Sequence, residues 1–349
     1  MKKALLLLMV FFLLLPLLGM ARENRIEEPF DFETQKIEGW RELPRSEKGT
    51  LFNVPSDVVN RMTTDALLQT FLNYPFAIDL VLSNTYYQGY MALRSEFEPL
   101  TALVARIDLP ASIIRKYQRI HSASESVSDN EIVHAILLVA LCTQQDINSL
   151  FTADEMQQLL GVLTESDLKD YEFHLANESS LWLDTRYQSN KTQLQNRAIY
   201  VKTPNGTNVE VLDYTSLTQW TSTEITAINN SVTSSYVVTV TANPNKYYNC
   251  HSYAWYSTST SNNRWMNDPS AYMTDGSYYN STSSIRTGDK HFMNPTHSGI
   301  ISSISNSMAY ITSKWGSWGV YTGAVTQLPP GYTNPGSPDY YTGSSQWRR

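Results

Sequence analysis

Cys250 stands inside Tyr247-Tyr248-Asn249-Cys250-His251-Ser252-Tyr253-Ala254-Trp255-Tyr256, just after the loop Asn243-Pro244-Asn245. The aromatic residues suit the first turns of a packed helix. A cysteine at such a start meets the positive end of the helix dipole, which favours the nucleophilic thiolate. The backbone N–H groups there, that of Cys250 foremost, could hold a developing oxyanion. A thiol nucleophile needs a base within hydrogen-bond reach, usually a histidine distant in sequence. His297 follows Pro295-Thr296 and leads into the strand-like run Ser298-Gly299-Ile300-Ile301. The turn Ser305-Asn306-Ser307 and a second strand, Met308–Ser313, come next. A histidine fixed at the head of a central strand can face a cysteine on a neighbouring helix. His251 adjoins Cys250 and should diverge from it, and His291 lies beside a turn. The expected catalytic pair is therefore Cys250 and His297.

Asn249-Cys250-His251-Ser252-Tyr253-Ala254 resembles the Cys-x-x-Tyr-Ala nucleophile helix of CHAP domains (cysteine, histidine-dependent amidohydrolases/peptidases). Gly288-Asp289 followed by His297-Ser298-Gly299-Ile300-Ile301 is similar to the Gly-Asp … His-x-x-Ile-Val segment shared by CHAP and NlpC-type hydrolases. The 47-residue step from Cys250 to His297 suits those folds, and Trp265 falls where they often carry a tryptophan. The resemblance covers about residues 245–325. It implies an α+β papain-like domain that hydrolyses an amide bond in peptidoglycan, as endopeptidase or N-acetylmuramoyl-L-alanine amidase, without metal or organic cofactor. Cys250 would attack the carbonyl, and His297 would take its proton and return it to the leaving amine. CHAP domains orient the histidine with a Glu, Asp or Asn on the following strand. Here Lys314 occupies roughly that place, and an ammonium has no acceptor to offer an imidazole N–H. Ser313 is the expected substitute, with Thr312 or a main-chain carbonyl behind it.

Other readings compete. Cys142 and Cys250 are the two cysteines of the chain; in an exported protein they could form a disulfide, which would remove the nucleophile. No second cysteine accompanies Cys250 at zinc-finger spacing, so no metal is expected. The aromatics from Trp255 to Trp318 could line a carbohydrate surface, although core and strand faces account for most of them. Met266, Met273 and Met293 read as core filling. Two alternative functions follow: a non-catalytic cell-wall or surface-binding protein that keeps the fold, and a secreted protease acting on proteins or peptides.

The elements that must position these residues fall into two styles. Met1-Lys2-Lys3, the apolar run Ala4–Leu18 and Gly19-Met20-Ala21 form a secretory signal pattern with cleavage expected after Ala21. That points to an exported bacterial protein of the envelope or medium. No later run is apolar and long enough to span a bilayer. Residues 22–55 read as a polar linker. Residues 57–175 read as an all-α domain: Thr63-Thr64-Asp65 starts one helix, Pro110 opens another over Ala111–His121, and Ser128-Asp129-Asn130 precedes a helix apolar all round that ends at Cys142. His134 on that helix reads as a core or boundary residue. From 197 to 349 the composition turns to Ser, Thr, Asn, Tyr and Gly, with strands at Ala198–Lys202 and Asn208–Leu212 and a helix near Ser222–Ser231. The 349 residues are 42% hydrophobic and 17% charged, enough to bury two cores. A net charge of −7 argues against a nucleic-acid partner. From Lys246 onward seven basic residues face four acidic ones, so this tail carries about +3.

Overall fold

A computed structural model of the chain describes residues 25–122, 127–178, 199–280, 285–293, 297–329 and 345–348. The expected signal segment and its cleavage point at Ala21 lie outside the described residues. Pro295 and Thr296, ahead of His297, do so too.

The first half is helical throughout. Its helices are α1 (Arg45–Leu51), α2 (Ser56–Arg61), α3 (Thr64–Asn73), α4 (Asp79–Leu82), α5 (Tyr86–Glu96) and α6 (Glu98–Val104). They continue as α7 (Leu109–Ser122), α8 (Asp129–Cys142), α9 (Gln145–Asn148), α10 (Ala153–Val162) and α11 (Glu165–Glu178). Local chemistry sets many of the starts. Thr63 caps α3 by accepting the N–H of Ala66, and reciprocal capping boxes, Thr85/Gln88, Ser128/Glu131 and Thr152/Glu155, open α5, α8 and α10. The middle of α8 is buried continuously from Ala135 to Cys142, as its all-round apolar sequence requires. His134 on α8 sits at the edge of this core with Nε2 3.1 Å from the Leu72 carbonyl oxygen.

Residues 25–55 are not a linker. Phe32, Phe52 and Val54 join the main core, and the polar-looking stretch around α1 buries Arg45 and Lys48 completely. Arg45 lies 3.9 Å above the Phe76 ring and 2.8 Å from Asp79, which also receives the Tyr236 hydroxyl. Lys48 Nζ donates to Gln327 Oε1 at 2.6 Å. These charges are long-stemmed and embedded, and composition alone reads them as solvated.

The second half contains a hairpin, β1 (Ile199–Lys202) with β2 (Asn208–Val211), then α12 (Ser222–Ser235). A seven-stranded antiparallel sheet follows, in the order β3 (Val238–Ala242), β8 (Val320–Ala324), β7 (Met308–Lys314), β6 (His297–Ser305), β5 (Lys290–Met293), β9 (Ser345–Arg348) and β4 (Tyr279–Asn280). A short helix, α13 (Ser270–Thr274), lies before β4. The helical half covers one face of the sheet: Met293, Ile311, Trp315, Tyr321 and Leu328 share a single apolar cluster with residues of α2 to α11. The hairpin and the segment Cys250–Tyr256 pack on the other face, where Val201, Val209, Val211, Ala254 and Trp255 meet Phe292. The architecture is thus an all-helical N-terminal region and a sheet-containing C-terminal region, joined through a common core.

Candidate active site

Asn249 is the residue that builds the site. Its side-chain oxygen accepts the N–H of Ser252 at 3.0 Å, capping the turn that begins at Cys250. The same oxygen takes the N–H of Met266 at 3.2 Å, while its amide donates to the Met266 carbonyl at 2.6 Å and to Asn84 of the helical half. One buried amide therefore fixes the start of the Cys250 segment, the chain at Met266 and the loop after α4. Cys250 and His251 form one helical turn, and Ser252–Tyr256 continues it as a wide π-type turn. The wide turn carries Trp255 toward β6, where its indole N–H donates to Ser298 Oγ at 2.9 Å. His251 Nδ1 lies 2.7 Å from the same hydroxyl.

Ser298 thus faces the Cys250 segment. Successive strand residues point to opposite faces, so His297 and Gly299 lie on the other side of β6. Gly299 confirms the geometry: a Cβ there would come within 2.4 Å of Ile311 and 3.1 Å of Ser313, on the side of the helical half. The structure accordingly brings Cys250 to the end of β6 beside Ser298, and it places His297 on the strand face that looks away from the segment. His251 and His291 both act electrostatically on His297, and all three are buried. Burial pushes the imidazole of His291 down to about 4 and that of His297 well below its ordinary range. Among the described residues no three His, Cys, Asp or Glu side chains converge as metal ligands would.

The thiol itself is 0% exposed, and burial pushes it up to about 12. A lowered value was expected from the helix start. The helical stretch is too short to supply a strong dipole, and the loss of water outweighs it. Opposing the burial, the backbone N–H groups of Ser298, His251 and Cys250 and the charge of Lys314 all favour the thiolate. Cys142 is the other free cysteine, equally buried and at the end of α8, so the two form no disulfide.

Ser313, the expected orienting residue, accepts the Trp315 indole N–H at 3.0 Å. Thr312 pairs its hydroxyl with that of Thr322 at 2.6 Å. Neither holds an imidazole. Lys314 instead closes the site: the register Ile300↔Thr312 sets Lys314 opposite Ser298, on the side of the thiol. Its side-chain nitrogen donates to the carbonyls of Asn245 and Gly316, at 2.8 and 2.7 Å, and sits 4.9 Å from the Tyr248 ring centre. Gly316 adopts a φ of 51°, and a Cβ there would lie 2.6 Å from the Val81 carbonyl, so the α4 end is pressed onto this turn. A buried pair, Lys246–Asp170 at 2.6 Å, anchors the chain just before Cys250 to α11.

Sequence reasoning missed Asn249, Ser298 and the Lys246–Asp170 pair. An asparagine directly before the proposed nucleophile was the one local signal, since Asn is a preferred helix cap. Gly288 and Asp289 of the motif serve the sheet. Gly288 takes φ 93°, and the Asp289 carboxylate accepts from Nη2 and Nε of Arg348 at 2.7 and 2.8 Å. No family model, curated protein or solved structure matches the chain.

Proposed function

We propose that the protein is a thiol-dependent amide hydrolase with Cys250 as its nucleophile. The observation that carries this reading is the set of groups that act on one sulfur, the backbone N–H groups of Ser298, His251 and Cys250 and the Lys314 side chain, at the start of a turn that Asn249 fixes. Such a set favours negative charge on the atom that must attack. The order of motifs resembles CHAP and NlpC-type hydrolases, which makes peptidoglycan amide bonds the substrate class, as endopeptidase or N-acetylmuramoyl-L-alanine amidase. By that same order His297 would be the base, but strand alternation sets its side chain on the face of β6 away from the Cys250 segment.

A second reading has its own support. Cys250, His297 and Lys314 are all 0% exposed, as befits a core rather than a working cleft. A wall-binding protein that keeps the fold without turnover would look the same. Digestion of purified sacculi by the full chain separates the two. Release of muropeptides by the wild type, lost in Cys250→Ala, supports the hydrolase. Retained release in Cys250→Ala overturns it, and binding to sacculi with no release selects the wall-binding protein. Cleavage of a casein or peptide library with intact sacculi would place the substrate among proteins.

A further inference from the structure

We propose that Lys314, rather than His297, receives the proton of Cys250. The inference rests on the reading of Cys250 as nucleophile, and its grounds are geometric. Lys314 stands opposite Ser298 in the β6–β7 register, on the side of the sheet that carries the Cys250 segment. His297 precedes Ser298 on β6 and so belongs to the opposite side. Two main-chain carbonyls, of Asn245 and Gly316, hold two of the lysine N–H groups. A neutral amine that donates twice has one position left, its lone pair, and a charged one has one N–H left. The sulfur of Cys250 is the group whose charge acts back on this nitrogen.

The other titratable neighbours do not compete for that position. Tyr248 offers its ring face to the nitrogen and Tyr253 neighbours Tyr248. His251 is held by Ser298 on the Cys250 segment, and Lys246 is paired with Asp170. Burial drives the Lys314 ammonium well below its ordinary range, toward the neutral amine that a base must be.

The step balances without a co-reactant other than water. As the sulfur bonds to the amide carbon, its S–H bond breaks and the proton passes to the Lys314 lone pair, while the carbonyl electrons move to oxygen. Collapse breaks the C–N bond, and the ammonium returns the proton to the departing amine. Water then attacks the thioester, giving its proton to the amine; the sulfur leaves and recovers that proton.

Two measurements on the full chain test this. The first uses no substrate: the side-chain carbon and nitrogen shifts of Lys314, assigned by their loss in Lys314→Arg, are followed against pH. A neutral amine at neutral pH is expected, and an ammonium that stays charged through mildly alkaline pH overturns the proposal. The second is the pH–rate profile of sacculus hydrolysis in wild type, Lys314→Met, Lys314→Arg and His297→Gln. Lys314→Met and Lys314→Arg should each lose about 100-fold or more and the acid limb with it, whereas His297→Gln keeps that limb. Arginine keeps the donors but offers no lone pair at neutral pH, so its loss alongside that of Lys314→Met reports the missing base. An unchanged profile in either lysine variant, or loss of the limb in His297→Gln, overturns the assignment. Hydrolysis that survives Cys250→Ala defeats the nucleophile instead, and the resonance of Lys314 still reports whether the amine is neutral.

Discussion

Acidification should weaken this protein through its buried histidines, and His291 allows the effect to be isolated. His291 lies on β5, only 1% exposed, and burial holds its imidazole at about 4 against an ordinary value near 6.5. A histidine with a depressed folded-state value is neutral when folded, while the unfolded chain takes up a proton. Its contribution to stability is therefore complete above about pH 6.5 and is lost as pH falls toward about 4. Integrating that difference gives a loss of about 2 kcal/mol between about pH 7.5 and about pH 5, and about 3 kcal/mol at the acid limit. Asp79 and Asp170 act in the opposite sense: burial pushes both carboxyls up to about 6, so they stabilise the fold as they take up protons. The total pH dependence mixes these signs, and the useful quantity is a difference. Urea midpoints of wild type and His291→Gln at the two pH values supply it. The gap between them should narrow by about 2 kcal/mol on acidification, because glutamine has nothing to titrate. If the two proteins lose stability in parallel, His291 is not held neutral by burial and the reasoning fails.

Asn249→Ala leaves the Met266 N–H and carbonyl and the Ser252 N–H without their partner; chemical denaturation should show a loss of about 2–4 kcal/mol. Lys246→Met strands a buried carboxylate at Asp170, with an expected loss of about 3–5 kcal/mol that Lys246→Met/Asp170→Leu together should largely restore. Gly299→Val drives side-chain carbons into Ile311 and Ser313, and a lowered thermal midpoint with a cost of about 1–3 kcal/mol or more is expected.

The helical half was open to reading because its signals are local. Thr63 and Ser128 cap helices where the sequence puts them, and α8 is buried all round as its composition demands. The β1–β2 hairpin and the β6–β7 pair follow from turn residues between short apolar runs. What escaped depends on partners far away in the chain. Residues 25–55 look solvated until Arg45 meets Asp79 and Tyr236, and Lys48 meets Gln327. Cys250 was expected to ionise easily from its place at a helix start. Its actual environment is set by desolvation beneath β6 and the α4 loop, which no local pattern encodes. His297 was paired with the thiol by motif order, yet one residue of strand alternation decides which face a side chain takes. For the same reason Lys314, dismissed as an orienting residue for an imidazole, lies on the side of the sulfur.

The most direct measurement is the order in which the two thiols react in the native protein. Cys142 and Cys250 are equally hidden, at 1% and 0% exposure, so static packing predicts that neither is labelled. A working nucleophile must be reached by substrate. Alkylation of the intact native chain, followed by mass mapping, should therefore mark Cys250 alone, with Cys142 silent until denaturation. If both thiols stay silent until the chain unfolds, Cys250 is a core residue like Cys142 and the claim that it attacks a substrate is contradicted.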